Sequence, residues 1–197
     1  MRISIIIPLL IVSVLAGCKS SPSQSPVIRY DTLPPGQDDG NLIAARQNHE
    51  RGLKLYKEGK LDEAIEALKE ALTADVTYGP AHNSLGTVYF DQNRYYLAAW
   101  EFQYAAKLMP RTPEPKNNLG LVFETVGDLG QANEHYAEAH DMAPDDVEIM
   151  GNYLRSQVRL GSRDAETREL LQDFLLRETR PEWLAWANRA IAETKWE

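Results

Sequence analysis

Histidine is the residue type in this sequence best suited to hold a metal ion or move a proton, and the 197-residue chain has four of them. Two of these, His135 and His140, are five residues apart, a spacing that does not bring two side chains to one face of a helix. The other two, His49 and His82, stand in no HExxH motif, and the chain carries no CxxC, GxSxG, GxGxxG or P-loop sequence. We therefore expect no catalytic residue, no metal site and no cofactor. The alternative is an enzyme whose site is assembled from distant residues only by folding.

The second reactive side chain is the only cysteine, Cys18. It follows one basic residue, Arg2, a run of about a dozen mostly apolar residues, and the small residues Ala16 and Gly17, which is the layout of a secretory signal peptide. Residues 15–18, Leu-Ala-Gly-Cys, resemble the lipobox of bacterial lipoproteins. The resemblance implies a signal peptide over residues 1–17 and acyl chains, palmitate among them, on Cys18, which anchor the protein to a membrane. An uncleaved anchor is the alternative, although the apolar run is shorter than a membrane-spanning helix requires.

Residues 18–41 are rich in Ser, Pro, Gln and Asp. Such a composition buries too little apolar surface to offset chain entropy, so we expect a flexible tether between the lipid anchor and a folded part. One apolar segment, residues 27–33, could dock on that folded part. In the lipoproteins that the chain resembles, a residue other than Asp after the cysteine permits export, and Lys19 therefore favours the periplasmic face of the outer membrane in the bacterial cell envelope.

The charge of the chain excludes one class of partner. Lys and Arg number 21 against 29 Asp and Glu, which gives a formal net charge of −8 and a pI of about 5.1. A nucleic-acid binder needs a basic surface, so we expect no nucleic-acid partner. The hydrophobic fraction of 43% and the charged fraction of 25% are those of an ordinary folded domain.

Small residues recur with a fixed period after the tether. Gly52, Gly86 and Gly120 are each 34 residues apart. A period of this length indicates a solenoid of helical hairpins, with a small residue where the first helix of each hairpin (helix A) crosses the second (helix B). The same period holds for Ala64, Ala98 and Ala132, for the large apolar residues Leu68, Phe102 and Tyr136, for the predicted turn residues Asn93, Gly127 and Gly161, and for the helix-ending Pro110 and Pro144.

These residues resemble the tetratricopeptide repeat (TPR), whose signature is followed most fully from Leu85 to Pro110 and from Leu119 to Pro144. The resemblance implies an all-α fold, a TPR helical-hairpin solenoid over residues 42–178. Its repeats span 45–78, 79–112 and 113–146, followed by a degenerate repeat at 147–178.

Residues 179–197 predict one further helix, because Pro181 suits a first helical turn. A solenoid needs a terminal element to cover its last apolar face, so we expect this helix to be a cap. A docking site formed by Trp183 and Trp186 is the alternative.

Helices A line the concave groove of TPR proteins, and the resemblance identifies the positions that face it. They are His49, Leu53, Tyr56, Asn83, Thr87, Phe90, Asp91, Asn117, Asn118, Leu121, Glu124, Asn152, Arg155 and Arg159. Asparagine both donates and accepts hydrogen bonds, so we predict that this groove binds an extended partner segment. Asparagine as ordinary repeat filler is the alternative, and the groove has too few Lys and Arg residues to resemble the carboxylate clamp of chaperone-binding relatives.

A second candidate surface comes from comparing the repeats. Tyr96, Trp100 and Tyr104 are spaced by four, which places them on one stripe of a helix B. Their equivalents are Asp62, Glu66 and Glu70 in the first repeat, and Gly130, Glu134 and Glu138 in the third. The charged equivalents indicate that the stripe faces water, so we predict a partner-binding surface on the convex side. A homodimer face, docking of residues 27–33, and chance are the alternatives.

The resemblance implies a non-catalytic scaffold or adaptor that binds a partner protein at the envelope membrane. Similar small TPR lipoproteins act in pilus or secretion assembly as pilotins, or as adaptors of peptidoglycan enzymes. An envelope enzyme or a binder of small molecules or glycans is one alternative. A structural lipoprotein that self-assembles through the aromatic stripe is another.

Overall fold

A computed structural model describes residues 41–196 of the chain. These residues form nine α-helices and no β-strand, which confirms the predicted all-α fold. The predicted signal peptide, Cys18 and all of the predicted tether except Asn41 lie outside the described residues. The helices are α1 (Leu42–Lys57), α2 (Leu61–Ala74), α3 (Gly79–Asp91), α4 (Tyr95–Leu108), α5 (Glu114–Thr125), α6 (Leu129–Met142), α7 (Val147–Leu160), α8 (Ala165–Arg177) and α9 (Pro181–Glu193).

The helices pair into hairpins that stack along the chain. Helix α1 packs on α2, α3 on α4 and α5 on α6, and each helix B also packs on the next helix A. Successive helices A (α1, α3, α5, α7) contact one another, whereas no two of the helices B α2, α4 and α6 make a comparable contact. The stack is therefore curved, with helices A on its concave side.

Close approach within each hairpin depends on a glycine that faces a large side chain. A Cβ atom on Gly52 would lie 2.7 Å from Leu68, one on Gly86 would lie 2.7 Å from Phe102, and one on Gly120 would lie 2.5 Å from Tyr136. No real side chain tolerates such contacts, so these glycines set the distance between helix A and helix B. The predicted small residues at the crossing of helix A and helix B are confirmed.

The turns between helices A and B use left-handed backbone at one position each. Asn93, Gly127 and Gly161 have φ angles of 59°, 88° and 89°, as the sequence predicts. Gly59, with φ of 75°, is the equivalent residue of the first hairpin and was missed by the sequence analysis.

The fourth hairpin keeps the architecture but shifts the close contact. Leu154 occupies the position of the repeated glycine and is fully buried. The close approach instead falls one turn earlier, at Gly151, where a Cβ atom would lie 3.0 Å from both Phe174 and Trp183. Phe174 is fully buried whereas Leu170, which the 34-residue period predicts as the large apolar residue, is only partly buried. The aromatic contact therefore replaces the glycine pairing of the earlier repeats.

The two ends of the described stack differ in which side chains they expose to solvent. Helix α9 covers the last hairpin, with the rings of Trp183 and Trp186 at 5.9 and 6.3 Å from Phe174 and with Ala187 and Ala190 buried. At the other end, α1 has exposed polar residues where α3 has buried apolar ones: Gln47, Arg51 and Lys54 stand at the positions of Ala81, Leu85 and Val88. The first turn of α1 also exposes Leu42 and Ile43.

Candidate functional site

The predicted groove residues lie on α1, α3, α5 and α7, and the structure brings them together on the concave side. Most of them are half-buried, Asp91 and Arg159 are exposed, and Asn117 and Asn152 are buried with 6% and 4% of their surface accessible. These two buried amides therefore serve the packing between helices and are withdrawn from the open surface of the groove. The remaining residues form that surface.

Side-chain hydrogen bonds connect each helix A with the next one. His49 Nε2 lies 2.8 Å from Ser84 Oγ, and Asn118 donates from Nδ2 to Asn83 Oδ1 at 3.1 Å. Asn152 donates in the same way to Asn117 at 3.0 Å. We call these bonds the concave ladder. The asparagines therefore connect neighbouring repeats, and these hydrogen bonds already use part of their capacity to donate and accept.

The ladder continues at the C-terminal ends of the first two helices A. The phenol of Tyr56 donates to Asp91 Oδ2 at 2.5 Å. This hydrogen bond raises the pKa of Tyr56 to about 12, so the phenol keeps its proton at physiological pH. Asp91 is thus an occupied acceptor at the edge of the groove.

The end of the groove at α7 is a compact charged cluster centred on Glu124. Arg155 donates to both carboxylate oxygens at 3.1 and 2.9 Å, and Arg159 and Tyr136 donate at 2.5 and 2.8 Å. Burial raises the pKa of Glu124, but the hydrogen bonds from the two arginines and Tyr136 outweigh it and hold the pKa below its usual value. The two arginines that the sequence placed at this end of the groove are therefore already engaged by Glu124, and this one carboxylate balances one of their two positive charges.

Helix α9 also reaches this charged cluster. The guanidinium of Arg155 lies 4.9 Å from the ring centroid of Trp183, and that of Arg180 lies 5.2 Å from the same ring. Trp183 is partly buried between them, so it contributes to packing and to cation–π attraction. Sequence reasoning missed this contact because the two residues belong to different hairpins.

Between the two ends, the groove floor combines apolar and amide groups. Leu53, Thr87 and Leu121 occupy equivalent positions on α1, α3 and α5 and are all half-buried. Beside them, the Nδ2 of Asn83 and the Oδ1 of Asn118 make no hydrogen bond to any other residue in the described part of the chain, so they offer a donor and an acceptor. We call this region the central groove. Phe90, at its edge, packs against Tyr95 with ring centroids 5.5 Å apart.

The convex aromatic stripe has two exposed members and one that turns inward. Tyr96 is 80% exposed and Trp100 is 46% exposed. Tyr104 is half-buried, and its ring packs 4.7 Å from that of the fully buried His82. The exposed part of the stripe is therefore the pair Tyr96 and Trp100.

The histidines take part in packing. His135 stacks on Phe123 and His140 on Tyr153, each with ring centroids 5.3 Å apart. Burial lowers the pKa of both histidines, which favours neutral rings near pH 7. Within residues 41–196, no group of three or more His, Cys, Asp or Glu residues is arranged to hold a metal ion. The described helices also include none that is long and apolar enough to cross a membrane.

Comparison with known proteins identifies the fold. The family model described as "TPR repeat" matches residues 52–93, whereas no curated protein matches the chain. Similar solved structures include YrrB, described as a TPR protein with an unusual peptide-binding site, which is 18% identical with a TM-score of 0.66 over 78% of this chain and 77% of that one. The structure titled as a functional characterization of Pseudomonas aeruginosa pilF is 20% identical with a TM-score of 0.66, over 77% and 70% of the two chains. The first TPR of Spaghetti (RPAP3), bound to the HSP90 peptide SRMEEVD, is 21% identical with a TM-score of 0.59, over 62% and 97%. At these identities the likeness shows the TPR fold alone.

Proposed function

We propose that this TPR-fold protein is a membrane-anchored, non-catalytic scaffold that holds an extended segment of a partner protein in its central groove, in the bacterial cell envelope. The observation that supports this most directly is the groove floor, where half-buried Leu53, Thr87 and Leu121 lie beside the Asn83–Asn118 pair. An extended segment needs apolar contacts for its side chains and hydrogen-bond partners for its backbone. The central groove offers both.

The charges at the two ends of the groove indicate what net charge the bound partner segment should have. The two arginines at the α7 end are bound to Glu124, and Asp91 accepts the phenol of Tyr56. The groove thus keeps a negative charge on Asp91 and one unbalanced positive charge beside Glu124. A segment with many charges of one sign would be repelled at one of these two points, so the partner segment is predominantly neutral. In two of the similar folds the descriptions mention a peptide or a peptide-binding site, which makes this mode of binding a reasonable one for the fold.

The membrane anchor is proposed from residues 15–18 and from the lone cysteine. Diacylglyceryl transfer to the Cys18 thiol, with acylation of the new N-terminus, would hold the protein at the periplasmic face of the outer membrane. Growth with an alkyne-tagged palmitate tests this point, because the label should attach to the wild-type chain and be lost in Cys18→Ser. A Cys18→Ser variant that labels and fractionates like the wild type would refute the anchor without touching the groove.

The partner belongs to pilus or secretion assembly, where the protein acts like a pilotin, or it is a peptidoglycan enzyme for which the protein is an adaptor. This part of the proposal rests on the resemblance to small TPR lipoproteins. The identity of a cross-linked partner decides between the two processes.

Site-specific photocrosslinking in cells tests the groove. A benzoylphenylalanine placed at Leu53 or Leu121 should yield a discrete adduct with one partner, and the same probe at the exposed Asn188 on α9 should not. A Leu121→Lys substitution combined with the Leu53 probe should then abolish the adduct. Equal labelling from positions 53 and 188, or no discrete adduct from either groove position, would contradict the proposal.

A further inference from the structure

The outer face of α4 exposes two neighbouring aromatic side chains. Tyr96 and Trp100 are four residues apart on this helix, with 80% and 46% of their surfaces exposed. Neither ring makes a hydrogen bond or a ring contact with any other residue between 41 and 196. Contiguous exposed aromatic surface is typical of an interaction site rather than of a solvated face.

Acidic helices flank this aromatic pair on both sides. Helix α2 carries four acidic residues and one lysine, and α6 carries three acidic residues and neither lysine nor arginine. Helix α4 itself carries one exposed lysine, Lys107, in its last turn. At the positions equivalent to Trp100 stand Glu66 on α2 and Glu134 on α6, both exposed. The exposed rings of α4 and the exposed carboxylates at equivalent positions of α2 and α6 lie on the same, convex side of the stack, where the three helices do not pack on one another. We call this set of side chains the convex patch.

The carboxylates of the convex patch are available to a partner. Glu66 is paired with Lys69 at 2.9 Å and Glu70 with Arg51 at 2.6 Å, while Glu134 accepts from Gln131 at 3.2 Å. These contacts are between exposed side chains. Exposed contacts of this kind contribute little to stability, so an incoming cation can replace them.

We infer that the convex patch binds a cationic segment of a partner protein, with arginine or lysine side chains over the rings of Tyr96 and Trp100 and further cations against the flanking carboxylates. The faces of indole and phenol rings attract cations, and arginine stacks on them particularly well. Carboxylates on both sides add long-range attraction for the same charge. The patch lies on helices B, so it can be occupied while the central groove holds its own segment.

The charge of the convex patch favours a cationic partner over two other occupants, a second copy of the chain and the chain's own residues 27–33. In a symmetric contact between two copies, α2 and α6 of one chain would face the acidic helices of the other, and like charges would oppose association. The chain's own apolar segment, residues 27–33, contains one arginine and one aspartate and therefore has no net positive charge. A partner rich in arginine or lysine fits the patch without either penalty.

Binding of a defined cationic peptide to the full-length protein in detergent tests the inference. The probe is a fluorescein-labelled nine-residue peptide of alternating Arg and Gly, and its control has Glu in place of Arg. We expect the arginine peptide alone to bind and to shift the indole N–H resonance of Trp100, which Trp100→Phe identifies. The double variant Tyr96→Ser, Trp100→Ser should raise Kd by about tenfold or more, and Glu66→Lys with Glu134→Lys should also weaken binding.

A matched variant controls for the removal of an exposed apolar side chain as such. Leu176 on α8 is 85% exposed and lies outside the patch, so Leu176→Ser should leave Kd unchanged. A double aromatic variant that binds the arginine peptide as tightly as the wild type would overturn the inference. A dimer that Trp100→Glu dissociates would assign the patch to a second copy, and an indole resonance that moves in Val27→Ser, Leu33→Ser would assign it to the chain's own segment. Leu121→Lys separates the two surfaces, because it should abolish the groove adduct and leave peptide binding intact.

Discussion

Asn152 donates a hydrogen bond from Nδ2 to Oδ1 of Asn117, 3.0 Å away and 35 residues earlier, and both side chains are buried. The same offset of 35 joins Asn118 to Asn83 and Arg159 to Glu124. Because the repeat period is 34, each of these bonds joins a residue to the next helix A, one position further along. The concave ladder thus holds neighbouring repeats together and also shapes the groove.

The hydrogen bond between Asn152 and Asn117 is the buried part of this ladder, and its removal should lower the stability of the protein. Asn152→Leu should lower the free energy of unfolding by about 1–3 kcal/mol, because the Oδ1 of Asn117 loses its donor inside the protein. Arg155 would also lose its hydrogen bond to Oδ1 of the Asn152 side chain. Urea unfolding followed by far-ultraviolet circular dichroism measures the effect. The exposed Asn188→Leu is the control, and an equal loss in both variants would contradict a role for the ladder.

The helical hairpins could be predicted from the sequence because single residues determine them. A glycine that recurs opposite a large side chain, as Gly120 does opposite Tyr136, leaves one arrangement of the two helices. Turn residues such as Gly127 indicate where the chain reverses. These features are local within one period, so the pattern of residue types was sufficient to predict them.

Two kinds of side-chain contact could not be predicted: an inward turn of a side chain within one hairpin, and contacts between hairpins, which depend on how the stack curves. The sequence places Tyr104 on the exposed stripe, yet its ring turns inward to pack on His82. The sequence likewise places Arg155 in the groove without showing that Glu124 and Trp183 would both contact it. The period alone indicates that such residues are neighbours and leaves their partners undetermined.

Two glycine substitutions should have opposite effects on stability. Gly120→Ala would place a methyl group 2.5 Å from the buried ring of Tyr136, and the forced displacement should destabilise the protein by about 1–3 kcal/mol. Gly130→Ala, near the start of the next helix, meets no atom closer than 3.7 Å. It should stabilise the helix by about 0.5–1 kcal/mol, because alanine loses less conformational entropy. Thermal unfolding of both variants checks the sign, and destabilisation of similar size in both would argue against the close crossing.

His82 and Glu101 form a buried pair. The protein should keep most of its stability when an amide residue replaces Glu101 and lose stability when an apolar residue replaces it. Nε2 of His82 lies 2.9 Å from the carbonyl oxygen of Val76, which can only accept, so Nε2 donates. Nδ1 lies 2.7 Å from the Glu101 carboxyl. Glu101→Gln can donate an amide hydrogen to Nδ1 and should retain most of the stability. Glu101→Leu leaves Nδ1 buried without that partner and should lose about 1–3 kcal/mol.

Comparison of Glu101→Gln with Glu101→Leu separates the contribution of the hydrogen bond to stability from that of packing. Val76 stands where Pro110 and Pro144 stand in the next repeats, so the bond from His82 holds a linker that has no proline. Hydrogen exchange of the amides at residues 75–78 should therefore accelerate in Glu101→Leu more than in Glu101→Gln. Equal exchange in the two variants would show that the pair acts only by filling space.

Glu178 should make the attachment of α9 dependent on pH. Its buried carboxylate accepts hydrogen bonds from the guanidinium of Arg180 and from the backbone amides of Thr179 and Arg180. The hydrogen bonds from Arg180 are the largest cause that lowers the pKa of Glu178, from 4.5 to about 2. A carboxyl whose pKa is lowered by folding stabilises the folded state above the unfolded pKa, and this contribution is lost as the pH falls through the folded pKa.

The pH range over which Glu178 contributes to stability follows from the unfolded and folded pKa values of its carboxyl group. Glu178→Gln should be less stable than the wild type at neutral pH, and the difference between the two proteins should narrow below pH 4.5, become small near pH 2 and vanish below it. Because Arg180 lies over Trp183, tryptophan fluorescence during urea unfolding reports the detachment of α9 directly. Glu182→Gln, an exposed carboxyl in the first turn of the same helix, is the matched control. Parallel pH profiles for wild type and Glu178→Gln would mean that Trp183 and Trp186 hold α9 without help from the ion pair.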